Sequence, residues 1–132
     1  TAMATILYSG LLGIVLVILS VRVIALRGNP AFAWFKFGYG GDYALDRAVR
    51  AHGNLAEYAP TFLLMMLITE QSRYSSFALH CYGGTFLLGR LMHGICFGFM
   101  ESNLPLRIAG TVLTLFPLLG LSVILLGQYF SS

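Results

Sequence analysis

The 132-residue chain is 58% hydrophobic and only 10% charged, with a mean hydropathy of +0.80, too apolar for a domain that keeps a wetted surface. A hydrocarbon core takes about 20 apolar residues per helix, so this length has room for four spans and their turns, and for no second domain. The formal charge of +3 is the balance of eight cationic residues, scattered along the chain, and five acidic ones, and the absence of any basic run argues against nucleic acid as a partner.

The first helix is expected from about Thr5 to Leu26, ended by Arg27, Gly28, Asn29 and Pro30, a cation followed by residues that stop helices. Its apolar run, Ile6 to Leu19, has no basic region before it and no small-residue cleavage site after it, so it reads as a retained helix and not a signal peptide. Between Gly28 and Asp42 lies the only long connection, with Trp34, Phe35, Phe37 and Tyr39 beside Lys36, aromatics suited to the headgroup layer. Asp42 is expected to cap a second helix that runs to about Thr69 and bends at Pro60. After a polar turn from Glu70 to Ser76, a third helix covers about Phe77 to Met100. A fourth, with Pro105 in its first turn, reaches about Phe130. The fold class expected is therefore an all-α, integral membrane four-helix bundle.

Arg22, Arg27, Lys36, Arg47 and Arg50 surround the first connection, Arg73 alone belongs to the second, and Arg107 follows the third. The positive-inside rule then puts both chain ends outside and this cationic end in the cytoplasm.

Helical periodicity sorts the polar residues inside these spans. Counting about 100° per residue from Arg50, Arg47, Asn54, Glu57 and Thr61 share a stripe roughly 80° wide, while His52 points nearly the opposite way. On the third helix Arg90, His93, Gly94 and Phe97 share another face. An ionised group at membrane depth costs about 2.5 to 3.5 kcal/mol unless paired or solvated, so Glu57 and Arg90 need partners, and each is a candidate for the other. Such a pair holds helices in register, shapes a pocket, or does both. Arg107 stands in a first helical turn, where the macrodipole disfavours a cation by about 0.3 to 1 kcal/mol. A bound carboxylate, phosphate or thiolate reverses that sign, because free amides of the turn join the guanidinium; the plainer reading is an arginine reaching lipid phosphates.

The remaining candidates have plain structural readings. His80 fits a packed or interfacial role, and the histidines show no metal-ligand spacing, so no metal site is expected. Cys81 and Cys96 are separated by roughly 22 Å along one helix, too far for a bridge, and read as small apolar packing residues. Gly94 and Gly98 have the G-x-x-x-G spacing of close helix contact, a weak signal in a chain with 15 glycines.

The stretch Arg47-Ala48-Val49-Arg50-Ala51-His52-Gly53-Asn54-Leu55-Ala56-Glu57-Tyr58-Ala59-Pro60 resembles the signature of the MAPEG family, the membrane-associated proteins of eicosanoid and glutathione metabolism. Gly38 to Asp42, Gly89-Arg90-Leu91-Met92-His93 and Leu104-Pro105-Leu106-Arg107 resemble the family in the same order, so the likeness covers nearly the whole chain. It is nearest the small bacterial type and is similar to microsomal glutathione transferase.

The resemblance implies a homotrimer of four-helix subunits in the bacterial inner membrane, with glutathione as co-substrate in a polar cavity between subunits near the cytoplasmic face. Carried over by position, Arg50, Asn54, Glu57 and His93 line or support that site, Arg22 reaches a carboxylate, Arg90 pairs with Glu57, and Arg107 holds the sulfur. Glutathione brings two carboxylates, an ammonium and a thiol, which call for guanidinium forks, a carboxylate and amide donors. A guanidinium beside a thiol that ionises near about pH 8.5 raises the thiolate fraction available to attack an electrophile in the bilayer.

The implied function is a glutathione-dependent transferase or peroxidase acting on hydrophobic electrophiles or lipid hydroperoxides. Phe97, Ile108 and Thr111 stand where better-characterised eukaryotic members offer tyrosine or serine, which keeps open a non-catalytic lipid- or glutathione-binding protein. A small proton-coupled transporter would also carry an intramembrane carboxylate, but Glu57 beside cations argues against it.

Overall fold

A computed structural model describes residues 3–38 and 40–132; Tyr39, expected among the interfacial aromatics, lies outside the described residues with Thr1 and Ala2. Four long helices follow one another, α1 (Met3–Leu26), α2 (Gly41–Gln71), α3 (Ser76–Phe99) and α4 (Leu104–Ser131), with a short 3₁₀ helix, Pro30–Phe35, between the first two. No strand occurs among the described residues.

Local chemistry accounts for the helix ends. Asn29 opens the 3₁₀ helix by accepting from the Ala31 amide at 2.9 Å. Ser75 caps α3 through the Ala78 amide, and Asn103 caps α4 through the Leu106 amide at 3.1 Å, each satisfying a donor the helix leaves free. Asp42 does not cap α2 as expected. The chain enters that helix one residue earlier through Gly41, whose φ of +79° favours glycine. Asp42 therefore falls in the first turn, where its carboxylate meets the positive end of the helix dipole.

α3 packs on α4, α2 on both α1 and α3, and α1 on α3. The α3–α4 crossing depends on two glycines outside the Gly94-x-x-x-Gly98 spacing. A Cβ on Gly89 would lie 2.8 Å from the Leu113 carbonyl carbon, and one on Gly110 would lie 2.8 Å from the His93 amide nitrogen. Backbone rides on backbone here, which places the start of α4 against the middle of α3. Gly94 and Gly98 instead face Leu19 of α1 at ordinary to tight contact distance. Further along, the rings of Phe62 and Phe86 stack at 3.9 Å across α2 and α3, both fully buried.

Glu70, at the polar end of α2, accepts from the Ala4 and Thr5 amides at 2.8 and 2.9 Å and from the Thr5 hydroxyl at 2.8 Å. It thereby caps α1 from another helix.

The outer surface carries Ile6, Ile14, Val17, Phe116, Leu119 and Val123, each at least 60% exposed, a run that water would not tolerate and lipid would. α1 and α4 are long and apolar enough to cross a membrane, with mean hydropathies of 2.5 and 2.2. α2, 31 residues long and so about 46 Å, carries more charged residues than any other helix.

Candidate functional site: an open cationic cavity between α2, α3 and α4

Arg50, Asn54 and Glu57 of α2, His93 and Phe97 of α3, and Arg107 and Thr111 of α4 line one open cavity of about 510 Å³. The spacing of three and four residues along α2 puts its three polar groups on one wall. Gly53, also on that wall, leaves the space a side chain would fill. The Gly110 contact brings His93 and Arg107 to the same cavity, since Gly110 sits three residues beyond Arg107 and touches the His93 backbone.

Phe97 organises the cationic side of the cavity. The His93 imidazole stacks on its ring at 4.6 Å and 23°. The guanidinium carbons of Arg47 and Arg107 lie 4.4 and 5.6 Å from the ring centroid, within the range where the aromatic quadrupole attracts a cation. Arg47 itself is committed elsewhere: its Nε donates to Met100 O at 3.1 Å and its Nη2 to Cys96 O at 2.8 Å. It satisfies the carbonyls left free at the end of α3 and sits at the negative end of that dipole. Arg50 and Arg107 remain exposed. With Glu57 the only acidic residue on the lining among the described residues, the cavity carries a surplus of positive charge beside a helix N-terminus, an arrangement that binds anions and leaves one carboxylate for a cationic group.

Five of the expected residues, Arg50, Asn54, Glu57, His93 and Arg107, therefore meet at one place. Two do not behave as expected. Arg22 is fully buried away from the cavity: its Nε donates to Gly98 O at 2.8 Å and its Nη1 to Phe35 O at 2.7 Å, and its guanidinium lies 5.0 and 4.9 Å from the Phe37 and Phe99 rings. It ties the first connection to the end of α3 and does not line the cavity.

Arg90 does not pair with Glu57. Its Nη1 donates to Thr114 Oγ1 at 3.1 Å, and it is 1% exposed, whereas Glu57 is turned outward to the cavity. Helical periodicity sets the face of each residue but not how far its side chain stands from the neighbouring helix.

A second groove, of about 220 Å³, lies on another flank of α2 and is lined by Ser20, Arg27 and His52 with Val23, Ile24 and Val49. Val49 borders both this groove and the main cavity. His52 pointing away from the Arg50 stripe is the one signal in the sequence that a second polar face exists. Cys81 and Cys96 are free, one exposed and one buried, and no cluster of metal-ligating side chains occurs among the described residues.

The MAPEG family model matches residues 5–127. The chain is 36% identical over 91 residues to the inner membrane protein YecN of Escherichia coli K12, covering 69% of this chain and 67% of that protein, and to the same degree to YecN of Escherichia coli O6:H1 strain CFT073. No solved structure matches it. The chain belongs to the MAPEG family and is a membrane protein.

Proposed function

We propose that this chain is a four-span inner-membrane subunit of a homotrimer that binds glutathione and activates its thiolate against hydrophobic electrophiles or lipid hydroperoxides. The observation that carries this reading is the convergence of Arg50, Asn54, Glu57, His93 and Arg107, from three helices, on one open cavity. The likeness to YecN supports the inner-membrane location. Arg50 supplies a fork for a glutathione carboxylate, Glu57 accepts the ammonium, and Asn54 fixes the peptide between them. Arg107 and the free amides of the α4 first turn hold the sulfur, lowering the thiol's pKa below its ordinary value of about 8.5. The thiolate then forms its bond to the electrophilic carbon or the peroxide oxygen, and the leaving group departs with the displaced electron pair.

Exposed charges on a lipid-facing wall are costly, and a neighbouring copy covering the cavity removes that cost. The groove of Ser20, Arg27 and His52, on another flank of α2, is the surface such a copy presents in a ring, where unlike faces meet. Arg27 then takes the carboxylate role expected of Arg22. In detergent, the account requires a three-copy mass, saturable glutathione binding by calorimetry, and about tenfold or greater weakening in both Arg50→Ala and Arg27→Ala. A monomer that binds glutathione unaltered by Arg27→Ala removes the composite site.

Phe97 and Thr111 on the lining give fewer hydroxyl contacts to a bound thiol than tyrosine and serine would. This favours, as the second reading, a lipid- or glutathione-binding protein without turnover. Saturable binding with no conjugate or reduced peroxide over a broad panel of electrophiles would select it.

A further inference from the structure

Beside the large cavity lies a small, partly open chamber of about 30 Å³, bounded by Asn54, Tyr58, Arg90, Thr111, Thr114 and Leu115. Arg90 is 1% exposed, and among the described residues only its Nη1 has a hydrogen-bond partner, Thr114 Oγ1 at 3.1 Å. Its Nε and Nη2 are buried without one. On its other side Arg90 borders an apolar groove with Val15, Leu19, Leu91 and Ile95, whose side chains offer no acceptor.

Among the described residues the chamber wall holds no acidic residue. The Thr114 hydroxyl spends its proton on Gly110 O at 2.7 Å, and the Thr111 hydroxyl spends its own on Arg107 O at 2.9 Å. The donors on the residues that border the chamber are the Arg90 Nε and Nη2 groups, the Tyr58 hydroxyl and the Asn54 amide, and the Arg90 guanidinium lies 5.8 Å from the Tyr58 ring. A buried guanidinium with free N–H groups and no counter-charge is unfavourable at membrane depth. A water would answer the hydrogen bonds but not the charge. The volume is about that of one water, so a monatomic anion fits.

From this geometry we infer that the Arg90 chamber is a site for a halide-sized monovalent anion, chloride under ordinary conditions, held by the Arg90 guanidinium with Tyr58 and Asn54. The site adjoins the thiol cavity and does not rest on the function proposed for it. Asn54 and Thr111 border both spaces, so occupancy steadies the wall of the larger one.

Crystals of the detergent-solubilised protein grown in bromide test this directly. An anomalous peak within hydrogen-bond distance of Arg90 Nε is expected. In solution, chloride should raise the unfolding midpoint saturably relative to gluconate at equal ionic strength. Tyr58→Phe should weaken the apparent chloride affinity about tenfold by removing one donor to a charged ligand, and Arg90→Met should abolish the effect. Should Arg90→Met not fold, Tyr58→Phe and the bromide map decide alone. A map with no peak at Arg90, or one showing the Glu57 carboxylate on that guanidinium, overturns the inference, as do identical midpoints in chloride and gluconate.

Discussion

Replacing Gly110 with alanine tests whether the α3–α4 crossing builds the cavity. The added Cβ would stand 2.8 Å from the His93 amide nitrogen and 3.0 Å from both Gly89 O and His93 Cβ, where unstrained contacts lie near 3.5 to 4.0 Å, a shortfall of about half an ångström or more. None of these atoms is the end of a flexible side chain, so α3 and α4 must separate. Overpacking of this kind costs about 1 to 3 kcal/mol, offset by at most about 1 kcal/mol from the better helix propensity of alanine. With the full offset the expected net loss is up to about 2 kcal/mol. Gly127→Ala is the control, because nothing lies within 4 Å of its Cβ position; it should be neutral or slightly stabilising. Unfolding in mixed detergent micelles measures both. Gly110 also sets the approach of Arg107 to His93, so Gly110→Ala should weaken glutathione binding while Gly127→Ala leaves it unchanged. A Gly110→Ala protein as stable as the Gly127→Ala protein would refute the close-crossing argument.

Two further perturbations test other parts of the fold. Arg22→Met removes the hydrogen bonds to Gly98 O and Phe35 O; each bond to a charged donor contributes about 1.5 to 3 kcal/mol, so the first connection should loosen and trypsin should cut at Lys36 faster than in the wild type. Glu70, beyond the membrane-spanning stretch, has its carboxyl raised by burial but lowered more by the bonds from Thr5 and Ala4, leaving it below its ordinary value. A carboxyl lowered in the folded state adds stability that is complete above its unfolded value, near about 4.3, and is lost as pH falls through the folded value. Glu70→Gln should therefore lower stability near neutrality and flatten the acid limb of the stability–pH curve, as followed by helical ellipticity; an unchanged acid limb would show that the α1 cap contributes nothing.

The helices were legible in the sequence because their ends are local events. Arg27 to Pro30 stops α1, and Asn103 with Pro105 starts α4 within a residue of the expected place. The cavity wall was legible for the same reason, since Arg50, Asn54 and Glu57 follow a single helix period. Arg22 was not. α1 is apolar nearly all round and offers no face to read, and only its packing against Phe35 and Gly98 shows that Arg22 turns inward. Arg27, five residues on and about 140° around the helix, points elsewhere. The pairing of Glu57 with Arg90 failed because two matching faces on separate helices do not fix the distance between side-chain ends. The close packing at Gly89 and Gly110 was not legible because their contacts join different helices, where no spacing rule within one helix can find them.

The ultraviolet difference spectrum of glutathione added to detergent-purified protein at neutral pH, compared between wild type and Arg107→Ala, bears most directly on the role given to the cavity. The account predicts a saturable thiolate band in the wild type, lost in Arg107→Ala while glutathione remains measurably bound. A wild-type protein that binds glutathione with no thiolate band, or a band of equal strength in the variant, would contradict it.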